Sequence, residues 1–214
     1  MEQILLIDKP AGITSFGVVA QVRRIVRQKV GHAGTLDPMA TGLLVLGVGA
    51  GTKKLTEYLK LPKTYEATIR LGIRTDTSDI EGAVLEERTL LPVAPQRAKE
   101  TIEGLQGMLR LPVSAYSAIK REGEPLYKKA RRGEEVTLPM RDMEIRKAEF
   151  LGLACEKGGC DIRARFDVGS GTYIRSLAEE LGRRLEVPAT LASLRRTRIG
   201  DFKIEDAVTL ENLK

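Results

Sequence analysis

The sequence predicts an α+β fold, a mixed and mostly antiparallel sheet flanked by helices. Segments with the two-residue alternation of half-buried strands recur along the 214 residues, segments with the 3.6-residue apolar period lie among them, and the order of the two kinds is not a regular strand–helix series. A chain of this length buries one sizeable core or two small ones. No internal repeat or low-complexity linker is evident.

Ile4 to Ile7 reads as a strand ending at Asp8-Lys9-Pro10, and Ser15 is expected to cap a helix. In that helix Val18, Val22, Ile25 and Val26 form an apolar face, with Arg23, Arg24, Arg27 and Lys29 outside it. Gly42 to Val48 is a leucine and valine run bounded by glycines, the pattern of a buried strand, and Lys53 to Leu59 reads as a short helix. Tyr65, Ala67, Ile69 and Leu71 alternate with polar residues and predict a half-buried strand. Pro95 opens a helix expected to reach Leu105, with Gly107 as its stop. Ile145 to Cys155 and Asp161 to Val168 predict paired strands around the turn EKGG, and Thr172 begins a helix with Ile174, Leu177, Ala178 and Leu181 on one face.

No apolar run is long enough to cross a bilayer and no charged-then-apolar leader is present, so a soluble, cytoplasmic protein is expected. The net charge of +6 comes from 35 basic and 29 acidic residues. The excess is clustered: Lys120 to Arg132 holds six basic against two acidic residues, and Arg183 to Arg198 five against one. Such clusters suit a polyanion such as nucleic acid, and equally a solvated charged face. Cys155 and Cys160 are placed opposite one another by the hairpin, but in a reducing compartment they are expected to be free thiols. Two cysteines and one histidine fall short of a four-ligand zinc site. Asp76, Asp79 and Glu81 miss the calcium-loop pattern, because Gly82 comes one place late and Ile80 takes a ligand position. No metal is expected.

The best candidate for an active site is Gly31 to Lys54, GHAGTLDPMATGLLVLGVGAGTKK, which holds the only histidine, His32, and a carboxylate, Asp37, between Leu36 and Pro38. The proline biases Asp37 towards an extended backbone, so a short, fairly fixed loop would present the carboxylate beside a buried strand. The glycines match neither a phosphate loop nor the dinucleotide fingerprint, since Thr52 stands where the third glycine of the latter belongs.

The same stretch closely resembles the catalytic segment of the bacterial TruB family, tRNA pseudouridine synthases that act on uridine 55 in the T loop. IDKPAGITS, KTYEATIRLGIRTDTSDIEG, LPVSAYSAIKREGEPLYKKARRGEEV, VGSGTYIRSLAEELG and LRRTRIGDF resemble further family segments in the right order, so the similarity covers nearly the whole chain. The resemblance implies a pseudouridine synthase fold, a single catalytic domain over residues 1–214, and tRNA, through its T arm, as partner. It implies no obligatory protein partner and, because the reaction is an isomerisation, no cofactor. Asp37 matches the catalytic aspartate and Tyr65 a tyrosine that stacks on the flipped base. Arg175 matches the arginine that pairs with that aspartate and would keep it ionised. Tyr173 and Leu194 match residues lining the uridine pocket, and His32 a histidine that enters the T loop. Lys9 and Pro10 match a segment that supports the catalytic loop. Residues from about 112 to 135 resemble a mobile thumb, in which Lys128, Lys129, Arg131 and Arg132 would contact phosphates. Many members carry a further RNA-binding domain of the PUA type, for which no segment is seen before Lys214. The same residues leave open a synthase for another RNA, or an RNA-binding folding factor.

Overall fold

A computed structural model describes the chain except residues 1, 91–92, 115, 117–118, 122, 127–128, 130–131, 133, 135, 157–158 and 214. Its elements are β1 (Glu2–Lys9), α1 (Ser15–Val26), β2 (Val30–His32), β3 (Thr41–Gly49), a 3-10 turn (Ala50–Lys54), α2 (Leu55–Leu59) and β4 (Lys63–Leu71). There follow β5 (Ile73–Thr75), β6 (Val84–Glu87), α3 (Pro95–Glu103), β7 (Gly107–Pro112), β8 (Lys120–Arg121) and β9 (Glu124–Pro125). The chain continues with β10 (Met140–Glu156), β11 (Gly159–Val168), α4 (Ile174–Leu185), β12 (Ala189–Ile199), β13 (Phe202–Lys203) and β14 (Val208–Thr209). Two compact units result, one of residues 1–66, 166–170 and 194–214, the other of residues 67–165 and 171–193. Strands β4, β11 and β12 contribute to both.

In the first unit the strand order is β14-β1-β3-β12-β4-β11, with β2 added to β3 and β13 to β12. β1 runs antiparallel to β3, with Leu5 opposite Leu46, while β12 runs parallel to β3 and β14 parallel to β1, so the sheet is mixed. β3 is apolar throughout because it is covered on both faces. Leu44, Leu46 and Val48 pack with Val18, Val19 and Val22 of α1, while Leu43 and Val45 pack with Ala33, Leu55 and Ile199. On α1 the buried face uses Val19 where Ile25 was expected; Ile25 lies exposed, because the stripe runs through residues 15, 18, 19 and 22. Thr14, rather than Ser15, caps the helix by accepting from the Gly17 amide at 2.9 Å.

In the second unit the order is β12-β4-β11-β10-β7, and α3 packs on β10 and α4. β4 alternates as expected, with Tyr65, Ala67, Ile69 and Leu71 buried. Helix α3 stops at Gly104, earlier than the expected Leu105, and Gly107 instead opens β7 with φ of +120°. α4 begins at Ile174 with Tyr173 as its cap, two residues beyond the expected Thr172, and buries Leu177, Ala178 and Leu181. Cys155 and Cys160, expected to be free, form a disulfide. The β10–β11 hairpin brings their Cα atoms to 4.1 Å, close enough for the sulfurs to join. Among the described residues no helix is long and apolar enough to cross a membrane, and no cluster of three metal-ligating side chains occurs.

Candidate active site

Asp37 sits half-buried on the loop joining β2 to β3, and the backbone on each side of it is tied down by the segment between β1 and α1. On one side, the Ser15 hydroxyl donates to the Leu36 carbonyl at 3.0 Å and accepts from the Leu36 amide at 2.8 Å. On the other, the Pro38 carbonyl accepts from the Gly12 amide at 2.9 Å and from Lys9 Nζ at 3.1 Å. The Lys9 ammonium is fully buried and also donates to the carbonyls of Pro10 and Ile13, at 2.9 and 2.6 Å. A closing bond from the Ala40 amide to the Asp37 carbonyl, at 3.1 Å, turns the chain into β3. The loop is thus held by side chain to backbone bonds, as a preorganised catalytic group requires.

Arg196 braces the loop from β12. Almost wholly buried, it donates from Nε to the Leu43 carbonyl at 2.8 Å and from Nη2 to the Gly34 carbonyl at 3.0 Å. Its guanidinium carbon lies 6.0 Å from the centre of the Tyr65 ring. The β12 backbone approaches so closely that a Cβ on Gly42 would lie 2.3 Å from the Arg196 carbonyl, and φ of +100° there also requires glycine. Burial, then the nearby Arg196 charge, lowers the pKa of His32, which favours the neutral imidazole. The same two causes bring Lys63 down to about 8, where its ammonium donates to the Leu59 and Leu61 carbonyls at 2.7 Å each. Leu194, nearly buried on β12, accepts at its carbonyl from the Thr41 hydroxyl. The first unit therefore carries His32, Asp37, Tyr65 and Leu194.

The second unit carries Tyr173 and Arg175, at the start of α4. Arg175 is buried and donates to the Thr77 carbonyl at 3.0 Å and the Tyr116 carbonyl at 3.1 Å, with Asp79 Oδ2 at 3.5 Å. Asp79 is itself fixed by the Thr77 hydroxyl at 2.7 Å, and Tyr116 donates to Asp76 at 2.9 Å. The acidic segment that resembled a poor calcium loop is an anchor for Arg175. In the thumb segment, Lys128 and Arg131 lie outside the described residues. Lys129 is half-buried, and Arg132 is exposed and bonded to Glu124 at 2.7 and 2.8 Å and to Glu134 at 2.6 Å. An RNA phosphate at Arg132 would have to compete with those carboxylates.

Sequence reasoning missed Ser15 and Arg196 as supports of the Asp37 loop and Lys63 as a buried ammonium in the first unit, and Asp79 as the anchor of Arg175 in the second. Arg196 was legible only as one basic residue of LRRTRIGDF.

The model of the TruB family pseudouridylate synthase N-terminal domain matches residues 23–174. The chain belongs to the TruB family. The model of the tRNA pseudouridylate synthase B C-terminal domain matches residues 175–214. A tRNA pseudouridine synthase B of Leifsonia xyli is 48% identical over 99% of this chain and 71% of its own length. One of Aromatoleum aromaticum is 44% identical over 100% of this chain and 68% of its own. Among solved structures, a chain of a Cbf5–Nop10–Gar1 complex superposes with a TM-score of 0.74 at 29% identity, and one of an H/ACA RNP bound to a substrate RNA with 0.71 at 27%. Each covers 98% of this chain, which spans about half the length of those two, 52% and 51%. The fold is that of a pseudouridine synthase.

Proposed function

We propose that the chain converts uridine to pseudouridine at position 55, in the T loop of tRNA, with Asp37 as the catalytic carboxylate. The observation that carries this reading is the clamp on both sides of Asp37, by Ser15 on Leu36 and by Lys9 and Gly12 on Pro38, in a chain of this family. The reaction breaks the bond from the sugar C1′ to N1 and makes one to C5, while the proton leaving C5 is balanced by one gained at N1. Nothing is oxidised, reduced or transferred, so the chemistry calls for no cofactor. A carboxylate fixed beside the nucleotide serves as nucleophile or base.

The target base must leave its stack at a cost of a few kcal/mol, and Tyr65 offers an aromatic face that offsets part of it. A neutral His32 enters the T loop at lower desolvation cost than an imidazolium would. Leu194, Tyr173 and Arg175 bind the uridine, Lys128, Lys129 and Arg131 meet phosphates of the T arm, and Arg132 does so by exchanging Glu124 and Glu134 for phosphate. The protein works in the cytoplasm, with its tRNA substrate.

Incubating an unmodified tRNA transcript with the protein and mapping pseudouridine nucleotide by nucleotide tests the proposal. Modification confined to position 55 is expected; modification at another position, in another RNA only, or RNA binding without any modification would overturn it.

A further inference from the structure

Helix α1 turns Val18, Val19 and Val22 inward and leaves its opposite face to solvent. On that face Phe16, Ala20 and Arg23 recur at helical spacing, and Arg27 follows one turn later at the C-cap. Phe16 is 68% exposed, and Arg23, Arg24 and Arg27 are exposed too. From Ser15 to Val30 there are four basic residues and no acidic one, so the element does not neutralise its own charge. Arg70, Arg132 and Arg195 are each paired with carboxylates. Arg23, by contrast, donates to the Val30 carbonyl at 3.4 Å, and among the described residues Arg23, Arg24 and Arg27 make no ion pair. A guanidinium carries five N–H donors, so most of Arg23's capacity points elsewhere.

The position of this face gives it meaning. Phe16 is the residue after Ser15, whose hydroxyl holds Leu36 beside Asp37, so the face begins at the loop carrying the candidate catalytic carboxylate. At 1.5 Å per residue, Arg23 lies about 10 Å along the axis from Phe16. An aromatic ring followed by guanidiniums at that reach suits a partner that has both flat bases and a chain of phosphates. We propose that the exposed face of α1, from Phe16 to Arg27, is a docking surface for the substrate RNA. Phe16 stacks on an unpaired base beside the target, and Arg23, Arg24 and Arg27 meet the backbone phosphates that lead away from it. This deepens the functional reading above and rests on it for the identity of the polyanion.

The test uses the full chain, an unmodified tRNA transcript, and fluorescence anisotropy across a potassium chloride series, with pseudouridine formation measured in parallel. Phe16→Ala is expected to weaken binding by about five- to tenfold with the salt slope unchanged, as loss of a stacked base would. The double variant Arg23→Gln/Arg27→Gln is expected to weaken binding by about tenfold at low salt and flatten the log–log salt slope by about 1 to 2, as loss of two phosphate contacts would. Both changes lie on the surface, and an unchanged melting temperature checks that the fold is kept. Wild-type affinity and slope in both variants, with the wild-type chain modifying tRNA, would overturn the docking surface and leave the functional reading standing. Weakened RNA binding by the variants, with no modification by wild type, would sustain the surface and defeat the functional reading. Unchanged tRNA binding with loss of binding to phosphatidylserine vesicles or to an acidic peptide would assign the face to another partner and overturn the proposal.

Discussion

Ser15 and Leu36 form a reciprocal pair, in which one hydroxyl satisfies both the amide and the carbonyl of the residue before Asp37, at 2.8 and 3.0 Å. Both residues are buried, so water cannot replace the hydroxyl without a cavity to hold it. Ser15→Ala leaves a buried donor and a buried acceptor unpaired and is expected to cost about 2 to 4 kcal/mol in stability. Because the released backbone adjoins Asp37, kcat should fall roughly tenfold to a hundredfold with little change in KM. Urea denaturation and steady-state kinetics measure the two effects.

Arg196 ties Gly34 and Leu43 together, and its charge adds to the burial that chiefly lowers the pKa of His32. Replacement by Met removes the charge while keeping much of the volume, so the His32 pKa should rise. His32 is the chain's only histidine, which makes its imidazole signals in an NMR titration unambiguous. Arg196→Lys restores the charge without the two-pronged geometry, so it should return the His32 pKa towards the wild-type value without restoring activity.

Lys63 gives a pH dependence of definite sign. Its folded pKa of about 8 lies below its ordinary value of 10.5. Between those values the unfolded chain holds a proton that the native state has released, so Lys63's contribution to stability rises with pH across that window and is lost as pH falls to about 8. The stability difference between wild type and Lys63→Met, measured from pH 7 to 11, should grow across the window. A flat difference would show that burial and Arg196 do not act on this ammonium.

Asp79→Ala leaves the Arg175 guanidinium buried with one anchor fewer. The guanidinium keeps the Thr77 and Tyr116 carbonyls, so a loss of about 1 to 3 kcal/mol is expected, as for the removal of one charged hydrogen-bond partner. Asp79→Asn keeps hydrogen-bonding capacity and should recover part of the loss. Thermal unfolding followed by circular dichroism distinguishes them.

The Cys155–Cys160 disulfide closes a short loop, with a sequence separation of 5, and its reduction is expected to remove about 2 kcal/mol of stability by freeing the unfolded chain. A melting curve with and without reductant checks this, with Cys155→Ser/Cys160→Ser as the reference.

What the sequence discloses depends on how local the cause is. The strand β3 and its glycine borders were legible because burial on both faces imposes an apolar run, and β4 because burial on one face imposes alternation. Asp37 was legible because proline and glycine constrain the backbone near it. The clamp was less so: Ser15 looks like an ordinary N-cap, and its separation of 21 positions from Leu36 hides their pairing. The role of Asp79 was hidden because acidic residues share a pattern whether they hold a cation or a guanidinium. Arg196 is buried only because the Leu43 carbonyl of β3, the Gly34 carbonyl of the loop before it and the Tyr65 ring of β4 converge on it, a coincidence of tertiary structure. The disulfide follows from the hairpin that sets the two cysteines opposite one another, a local cause, whereas the redox state of a compartment is not written in the chain.

The central claim, that Asp37 is the carboxylate that does the chemistry, is tested most directly by tritium release from a tRNA transcript labelled at C5 of uridine. Wild-type protein should release label from position 55, and Asp37→Asn, which keeps the loop's backbone bonds and nearly the same volume, should bind the tRNA with similar affinity and release essentially none. Release by the Asn variant at a rate comparable to wild type would contradict the account.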